Sequence, residues 1–365
     1  MKQSVFKFDD NHWKCFFVDN GFSETHVKTF LNRFHRMNPP DISHDSHSYL
    51  MPFPKKLHSL ICQHYHSADS LIIKESVISS DGSVKFIFET HDQYEIETVL
   101  MPERSRTSLC LSSQVGCKRA CSFCHTGKMG LKRDLSAEEI VDQYRMVSEW
   151  MIDSPKWQKD NLQTGATFAK MRKVNNIVFM GMGEPLDNYA NLRVTLNILM
   201  SQYGFAFPKS KISVSTAGHL EGLVKISKEF VNLPIALSLH ASSSSLRQKI
   251  MPINRTWPLA DLTRELVALK SQGFLSKLLI QYTLISGVND TDDEIDGLAL
   301  LSKQLSCKVN LIPMNEVDFS TWKAPSLGKI NDIQTKLIRN NVRTMVRYSK
   351  ASDVGGACGQ LVKEC

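Results

Sequence analysis

Thr107-Ser108-Leu109-Cys110-Leu111-Ser112 leads through Ser113-Gln114-Val115-Gly116 into Cys117-Lys118-Arg119-Ala120-Cys121-Ser122-Phe123-Cys124. The first six residues read as a β-strand, and the clustered cysteines fall in the loop after it. From here the chain repeats strand, loop and helix. The pattern predicts strands at 107–112, 176–180, 211–215, 234–239, 277–284 and 308–312. A capping box, Ser136-Ala137-Glu138-Glu139, opens a helix with Ile140, Tyr144, Val147 and Met151 on one face. Stretches 192–202, 259–272 and 292–305 read as helices too. Strands alternating with helices imply an α/β fold with a parallel sheet and right-handed crossovers. Periodicity alone leaves an incomplete barrel and a doubly wound sheet both open.

Upstream the texture differs. Phe22, Val27, Phe30, Leu31 and Phe34 recur at helical spacing, and Asn38-Pro39-Pro40 stops that helix. The histidines that follow, His44, His47, His58, His64 and His66, are irregularly spaced and read as a solvated helix face or loop. Leu71-Ile72-Ile73 and Val84-Lys85-Phe86-Ile87-Phe88 flank Asp81-Gly82, a hairpin signal, and 94–101 is a further strand. Residues 1–100 therefore read as a small α+β accessory domain, 101–348 as the α/β unit, and 349–365 as a tail. Within the α/β unit, 154–173 reads as a polar insertion.

The chain has 365 residues, 42% of them hydrophobic and 22% charged, as in globular proteins. It contains no apolar run of membrane-spanning length, and its first residues lack the core of a secretory signal. It reads as cytoplasmic. The net charge of +7 permits a polyanionic partner without requiring one. Nine cysteines, an odd number in a chain with no export signal, argue against a disulfide framework.

Cys117, Cys121 and Cys124 have the spacing C-x3-C-x2-C, with an aromatic residue before the last cysteine. Structural zinc takes four closed ligands, usually in two pairs, and there is no second pair here. A [4Fe–4S] cluster prefers four thiolates, so three leave one iron open. An open iron can chelate the amino and carboxylate groups of S-adenosylmethionine (SAM). The spacing is similar to the signature of the radical SAM superfamily.

The surrounding residues narrow the resemblance. Gln114-Val115-Gly116-Cys117, Cys121-Ser122-Phe123-Cys124-His125-Thr126-Gly127 and Leu131-Lys132-Arg133-Asp134-Leu135 come first in order. Met180-Gly181-Met182-Gly183-Glu184-Pro185-Leu186, Val214-Ser215-Thr216-Ala217-Gly218 and Ser238-Leu239-His240-Ala241 follow. Asn310-Leu311-Ile312-Pro313-Met314-Asn315 and Ala357-Cys358-Gly359-Gln360-Leu361 complete the set. Together they resemble the RlmN/Cfr family of radical SAM RNA adenine methyltransferases, over roughly residues 95 to 361. Asp134 stands where the family usually has Asn.

The resemblance implies an incomplete (βα)6 barrel preceded by an accessory domain. It implies that Gly183, Glu184, Ser215, Ser238, Leu239, His240 and Asn315 bind SAM, with Glu184 holding its ammonium group. These residues sit at or just past predicted strand ends, where α/β barrels place their sites. It implies two SAM molecules per turnover. Cys358 takes a methyl from one by displacement. A radical made from the other removes hydrogen from that methyl, and the resulting methylene radical adds to adenine as a thioether bridge. Glu97 matches the base position, and Cys110 then releases the methylated RNA by forming a Cys110–Cys358 disulfide. For that the two Cα atoms must come within roughly 5–6 Å.

Read without the resemblance, Glu97 is a charge on an exposed strand, Cys110 a buried apolar cysteine and Cys358 a surface thiol. Cys15, Cys62, Cys307 and Cys365 match no motif. The expected partners are RNA (large-subunit ribosomal RNA, with transfer RNA a second candidate) and an electron donor such as flavodoxin or ferredoxin, for a protein acting as a monomer. Arg104, Arg106, Lys118, Arg119, Lys128, Lys132 and Arg133, with Lys170, Arg172 and Lys173, are the candidate phosphate contacts. Carbon 2 is the favoured ring position. Carbon 8 and a radical SAM reaction on a non-RNA substrate are the alternatives.

Overall fold

The computed structural model describes residues 2–36, 53–103, 106–162 and 173–361. Asn38-Pro39-Pro40, His44, His47, Arg104, Lys170, Arg172 and Cys365 lie outside the described residues. So does half of the insertion, residues 163–172; its first part is a helix.

The N-terminal part is helical. Strand β1 (Gln3–Ser4) pairs in parallel with β2 (Tyr65–His66) and ties together α1 (Asp10–Asp19), α2 (Glu24–Arg36) and α3 (Lys55–His64). The Asp9 carboxylate caps α1 by accepting from the amides of Asn11 and His12. Trp13, Phe17, Phe30, Leu57 and Ile61 are fully buried, and the Trp13 and Phe30 ring centroids are 4.4 Å apart. This aromatic core is a cluster distinct from the larger core of the chain, and buried Val141 and Ile198 belong to it.

The antiparallel strands β3 (Leu71–Ile78), β4 (Val84–Thr90) and β5 (Glu95–Glu103) form where the sequence turns to period two. Their turn falls at Asp81-Gly82, as the dipeptide predicts. β5 continues antiparallel onto β6 (Arg106–Cys110), after which comes a short hairpin of β7 (Gln114–Gly116) and β8 (Leu131–Asp134). The cysteine loop and the single turn α4 (His125–Lys128) lie between the hairpin strands.

β6 pairs in parallel with β9 (Asn176–Phe179), and the parallel sheet continues through β10 (Ile212–Thr216), β11 (Ile235–Ser238), β12 (Leu278–Leu284), β13 (Lys308–Pro313) and β14 (Thr344–Val346). The helices between these strands are α5 (Ala137–Ile152), α6 (Pro155–Leu162), α7 (Tyr189–Met200), α8 (Leu220–Glu229), α9 (Ser244–Ile250), α10 (Leu259–Ser271), α11 (Asp292–Gln304) and α12 (Leu327–Arg339). The order β14-β13-β12-β11-β10-β9-β6-β5-β4-β3 leaves β14 and β3 as free edges, so the barrel is incomplete. All six strands expected from sequence are present, and β14 adds a short seventh.

Position 100 lies inside β5, so one continuous ten-stranded sheet crosses the boundary between accessory and barrel segments. Val84, Phe86, Phe88 and Ile96 belong to the barrel core, whereas the residues before Leu71 keep their own. The break between cores therefore comes before β3. No described helix is long and apolar enough to cross a membrane.

The capping box forms as expected. Ser136 Oγ accepts from the Glu139 amide at 3.3 Å, and Glu139 Oε2 accepts from the Ser136 amide at 2.8 Å. One turn further on, buried Asp142 joins α5 to the entrance of β3. It accepts from the Ser70 amide and hydroxyl, both at 2.7 Å, and from Arg145 Nε at 3.0 Å. Removing one partner of a buried pair leaves the other charge and its donors stranded. Asp142→Ala should lower stability by about 3 kcal/mol, read as a shift in the urea unfolding midpoint.

Candidate active site

The parallel strands all end on one side of the sheet, and their ends carry the polar residues. The turn after β9 places Gly181, Gly183 and Glu184 at the rim of a cavity. Ser215 comes from β10, Ser238 and His240 from the end of β11, Gln281 and Thr283 from β12, and Met314 and Asn315 from beyond β13. Cys117, Cys121 and Cys124 close the cavity from the loop side. Together these residues bound an open cleft of about 890 Å³, solvent at its mouth included. Leu239 does not line it: the side chain is in the core, 1% exposed, and the carbonyl accepts from Arg247 Nε at 3.3 Å.

Local packing explains the turn after β9. Gly183 has φ +97°, and a Cβ there would stand 2.6 Å from Gln114 Cβ. The close approach lets Gln114 Oε1 accept from the Glu184 amide at 2.9 Å, while Gln114 Nε2 donates to Asp134 Oδ1 at 2.7 Å. Asp134, the departure from the family pattern, thus orients the residue that holds Glu184. Asn188 Nδ2 donates to the carbonyls of Ser113 and Leu135 at 2.8 and 2.7 Å, pinning the same turn to the cysteine-loop hairpin.

Glu184 is 3% exposed. Its carboxylate accepts from the Ala217 amide at 2.7 Å and the Leu186 amide at 3.2 Å. Burial outweighs these bonds and pushes its carboxyl up to about 7. His240 is held at φ +56°. Its Nδ1 accepts from the Thr283 amide at 2.9 Å, which puts the ring proton on Nε2. Burial brings this imidazole down to about 3, so it is neutral at physiological pH. The Phe123 ring meets it edge-on at 4.8 Å.

The three cysteines of the loop are free thiols facing a shared space. Burial pushes Cys117 up to about 12, with Glu184, Cys124 and Asp187 adding to the effect. Burial also raises Cys121, and there the Cys124 and Cys117 thiols are the next contributors. Three thiols that oppose one another's ionisation in a buried chamber become thiolates when a cationic group joins them. That donor set fits an iron–sulfur cluster held by three sulfurs. Among the described residues no three His, Cys, Asp or Glu side chains converge on a single ion.

The chain end docks on this loop. The His125 amide donates to the Gly359 carbonyl at 2.8 Å, Thr126 Oγ1 to the Leu361 carbonyl at 2.8 Å, and Asn315 Nδ2 to the Cys358 carbonyl at 2.9 Å. Cys358 is exposed and lines the cavity just described. It also lines a second cavity of about 520 Å³, whose walls include Val99, Met101, Cys110, Met180 and Arg347. Cys110 is buried there, and burial pushes its thiol up to about 12, with Cys358 adding and Arg347 opposing.

Glu97 is 1% exposed rather than on an open strand face, and Lys85 Nζ stands 3.2 Å from its Oε1. In the sheet register Val99 lies opposite both Lys85 and Cys110, so Lys85, Glu97 and Cys110 share one face. Sequence reasoning missed Lys85, Gln114 as an orienting group, and Arg347. A strand Lys and an Arg just after β14 carry no signal of their own without the register.

Several expected phosphate contacts are instead tied up with carboxylates. Arg119 and Lys118 pair with Asp187, the latter at 3.3 Å, and His219 Nε2 joins them at 3.4 Å. Arg133 bridges Asp92 and Glu139 at 2.6 and 2.8 Å, and Arg106 holds Glu103 at 2.7 Å. Lys128 lies over the Phe319 ring, while Lys132 and Lys173 are exposed. Cys62 and Cys307 are packed in their own surroundings, and Cys15 is exposed, all away from the site.

An incomplete parallel barrel with three thiols at its mouth defines the class: a radical SAM enzyme. A solved radical SAM methyltransferase from Sphaerobacter thermophilus superposes with a TM-score of 0.82 at 31% identity, over 98% of this chain and 99% of that one. The dual-specificity RNA methyltransferase RlmN of Desulfotalea psychrophila is 38% identical over 287 residues, 78% of this chain and 76% of that protein. The RlmN of Wigglesworthia glossinidia brevipalpis is 34% identical over 319 residues, 87% of this chain and 80% of that protein. No protein-family model matches the chain. The chain belongs to the RlmN/Cfr family of radical SAM RNA methyltransferases.

The hairpin beside the cysteine loop allows no side chain at Gly116. Its φ is +75°, and a Cβ would come within 1.8 Å of the Gly130 carbonyl oxygen. Gly116→Ala should lower iron per chain after anaerobic reconstitution several-fold while far-UV circular dichroism stays close to that of the parent.

Proposed function

We propose that this chain methylates carbon 2 of adenine in RNA, with large-subunit ribosomal RNA and transfer RNA as substrates. The dual specificity in the names of its RlmN relatives supports two RNA substrates. The [4Fe–4S] cluster and two molecules of SAM supply a methyl group and a carbon radical. All other steps fall to side chains.

Cys117, Cys121 and Cys124 hold the cluster. Glu184 faces the ammonium of SAM, and Gly183, Ser215, Ser238 and Asn315 line the space around it. A cationic partner favours the ionised form of Glu184 and so counters the effect of its burial. His240 stays neutral and donates from Nε2, adding no positive charge beside a sulfonium.

Ring carbon 2 is not a nucleophile, so the methyl must travel on the protein. Cys358 accepts it at sulfur. The observation that carries this reading is that Cys358 lines both cavities, one bounded by the three thiols and the other by Cys110. A methyl taken up on one side can therefore be presented on the other without leaving the residue. Glu97 takes the ring proton, and the unpaired electron left on the ring by the radical addition would return to the cluster that supplied it. Cys110 attacks the Cys358 sulfur, the carbon–sulfur bond breaks, the freed carbon is protonated to a methyl group, and a Cys110–Cys358 disulfide forms. An external electron donor such as flavodoxin or ferredoxin supports the cycle, and the disulfide is reduced before the next turnover.

The test is mass spectrometry of nucleosides from RNA incubated with the reconstituted protein. The parent should yield 2-methyladenosine. Cys358→Ala should lose methyl transfer by more than about 10³-fold, the scale at which a covalent nucleophile is missed, while 5′-deoxyadenosine still forms. Full turnover by Cys358→Ala overturns the reading, and 8-methyladenosine as the product overturns the ring position.

A further inference from the structure

Lys85 is a lysine on a central strand of the antiparallel extension, 9% exposed. Lysine is almost never buried so far without a partner. Its ammonium stands 3.2 Å from Glu97 Oε1, and the Glu97 side chain is 1% exposed. We propose that Lys85 is a positioning residue that holds Glu97 as an oriented carboxylate beneath the tail carrying Cys358. The inference rests on the reading of Glu97 as the group that takes the ring proton.

Two further observations connect this pair to the reaction. First, the tail backbone crosses directly over it. A Cβ on Gly355 would lie 3.5 Å from Lys85 Nζ, and one on Gly356 would lie 3.5 Å from Val99 Cγ2. Gly355 and Gly356 stand three and two residues before Cys358. Second, the hairpin that begins the strand of Lys85 also anchors the base of the tail. Asp353 accepts from Ser79 Oγ at 2.5 Å and from the Ser80 amide at 2.9 Å. Asp81 accepts from the Ala351 amide at 3.2 Å and faces Lys350 Nζ at 3.5 Å. The segment of chain that carries Lys85 thus also sets where Cys358 starts from.

The proton step needs this arrangement. The ring carbon–hydrogen bond breaks, the proton passes to a Glu97 oxygen, the electron pair stays with the ring, and the one unpaired electron that the radical addition left on the adduct would return to the iron–sulfur cluster that supplied it. A carboxylate so deeply buried favours its neutral form, which cannot take a proton. The ammonium at 3.2 Å offsets that tendency and holds the Oε1 side of the carboxylate in place. Several charged or titratable groups on the described elements around Glu97 have other partners or line the second cavity. Glu95 and Glu89 pair with Lys74, Lys350 pairs with Asp81, Asp353 with the serines, and Cys110, Cys358 and Arg347 line the second cavity.

The experiment compares the full-length reconstituted parent with Lys85→Met, Lys85→Arg, Glu97→Gln and the double Lys85→Met/Glu97→Gln variant. RNA bound covalently to protein is measured on denaturing gels in single turnover, beside methyladenosine yield, 5′-deoxyadenosine yield and thermal melting. Lys85→Met should form 5′-deoxyadenosine at the parental rate and lose about 100-fold in methyladenosine, within the range for a disabled general base. It should accumulate the protein–RNA adduct as Glu97→Gln does, and the acid limb of its residual rate should move to higher pH. Lys85→Arg should restore most of the turnover. The double variant, with its neutral pair, should melt above Lys85→Met yet be no slower than Glu97→Gln alone, which keeps the comparison open if Lys85→Met folds poorly. Adduct resolution blocked in Glu97→Gln but parental in yield and pH profile in Lys85→Met overturns the role of Lys85. A double variant slower than Glu97→Gln by the full Lys85→Met loss does the same. Full turnover in Glu97→Gln overturns the reading of Glu97 itself.

Discussion

The placement of Cys358 depends on three hydrogen bonds between the chain end and the rest of the molecule. The carbonyls of Cys358, Gly359 and Leu361 accept from Asn315, the His125 amide and Thr126. Chain ends fray unless tied down, and these bonds tie this one at three successive points. Two of the donors directly follow Cys124, so the cysteine loop and the Cys358 thiol have a common support. The third comes from the end of β13, which links that support to the parallel sheet. Reaction rates fall steeply when reacting atoms are misplaced by an ångström. A common mount for loop and tail keeps their spacing constant even when the assembly moves.

The electrostatics of the first cavity follow from burial. Burial penalises the charged form of every group there: it lifts the Glu184 carboxyl to about 7, lowers His240 to about 3 and raises the cysteine thiols. The chamber therefore favours cationic guests, which make the carboxylate and thiolates favourable again. The permanent cations nearby are kept from competing. Arg119 and Lys118 are turned onto Asp187, and Arg247, 0% exposed, spends its donors on carbonyls of the β10 and β11 loops and on Asn254.

The parallel sheet was legible in the sequence because each strand is a short apolar run closed by glycine or polar residues. The expected 277–284 and 308–312 differ from Leu278–Leu284 and Lys308–Pro313 by one residue at one end. The rim was legible because its residues fall at those ends. The three-residue β14 and the β7–β8 hairpin were not, since neither is long enough to show a period. That β5 joins β6 is a matter of hydrogen-bond register, which periodicity does not carry, and so the accessory sheet looked like a separate domain. Charge was the least legible feature. Arg119 beside the cysteines reads as a phosphate contact, yet its carboxylate partner lies 68 residues away. Lys85 reads as a solvated strand residue until Val99, opposite both it and Cys110, shows which face it is on.

The second cavity holds two thiols in opposite states of exposure, and this difference can order the proposed reaction. The thiolate is the nucleophile. Cys358 is exposed where the two cavities meet, while Cys110 is 7% exposed and pushed up to about 12. Cys110 is therefore a neutral thiol in the resting protein. It competes neither for the methyl group nor, by early disulfide formation, for Cys358 itself. Arg347 pulls its ionisation the other way from across the same cavity, but burial is the larger effect. Cys110 becomes a competent nucleophile when that balance shifts, as it does if the tail swings and admits water or substrate. Gly356, Ala357 and Cys358 of the tail line the same cavity, so in the proposed reaction such a shift would accompany the loading of Cys358. In the proposed reaction, a single buried–exposed pair of thiols would thus impose a sequence of events that would otherwise need two separate sites.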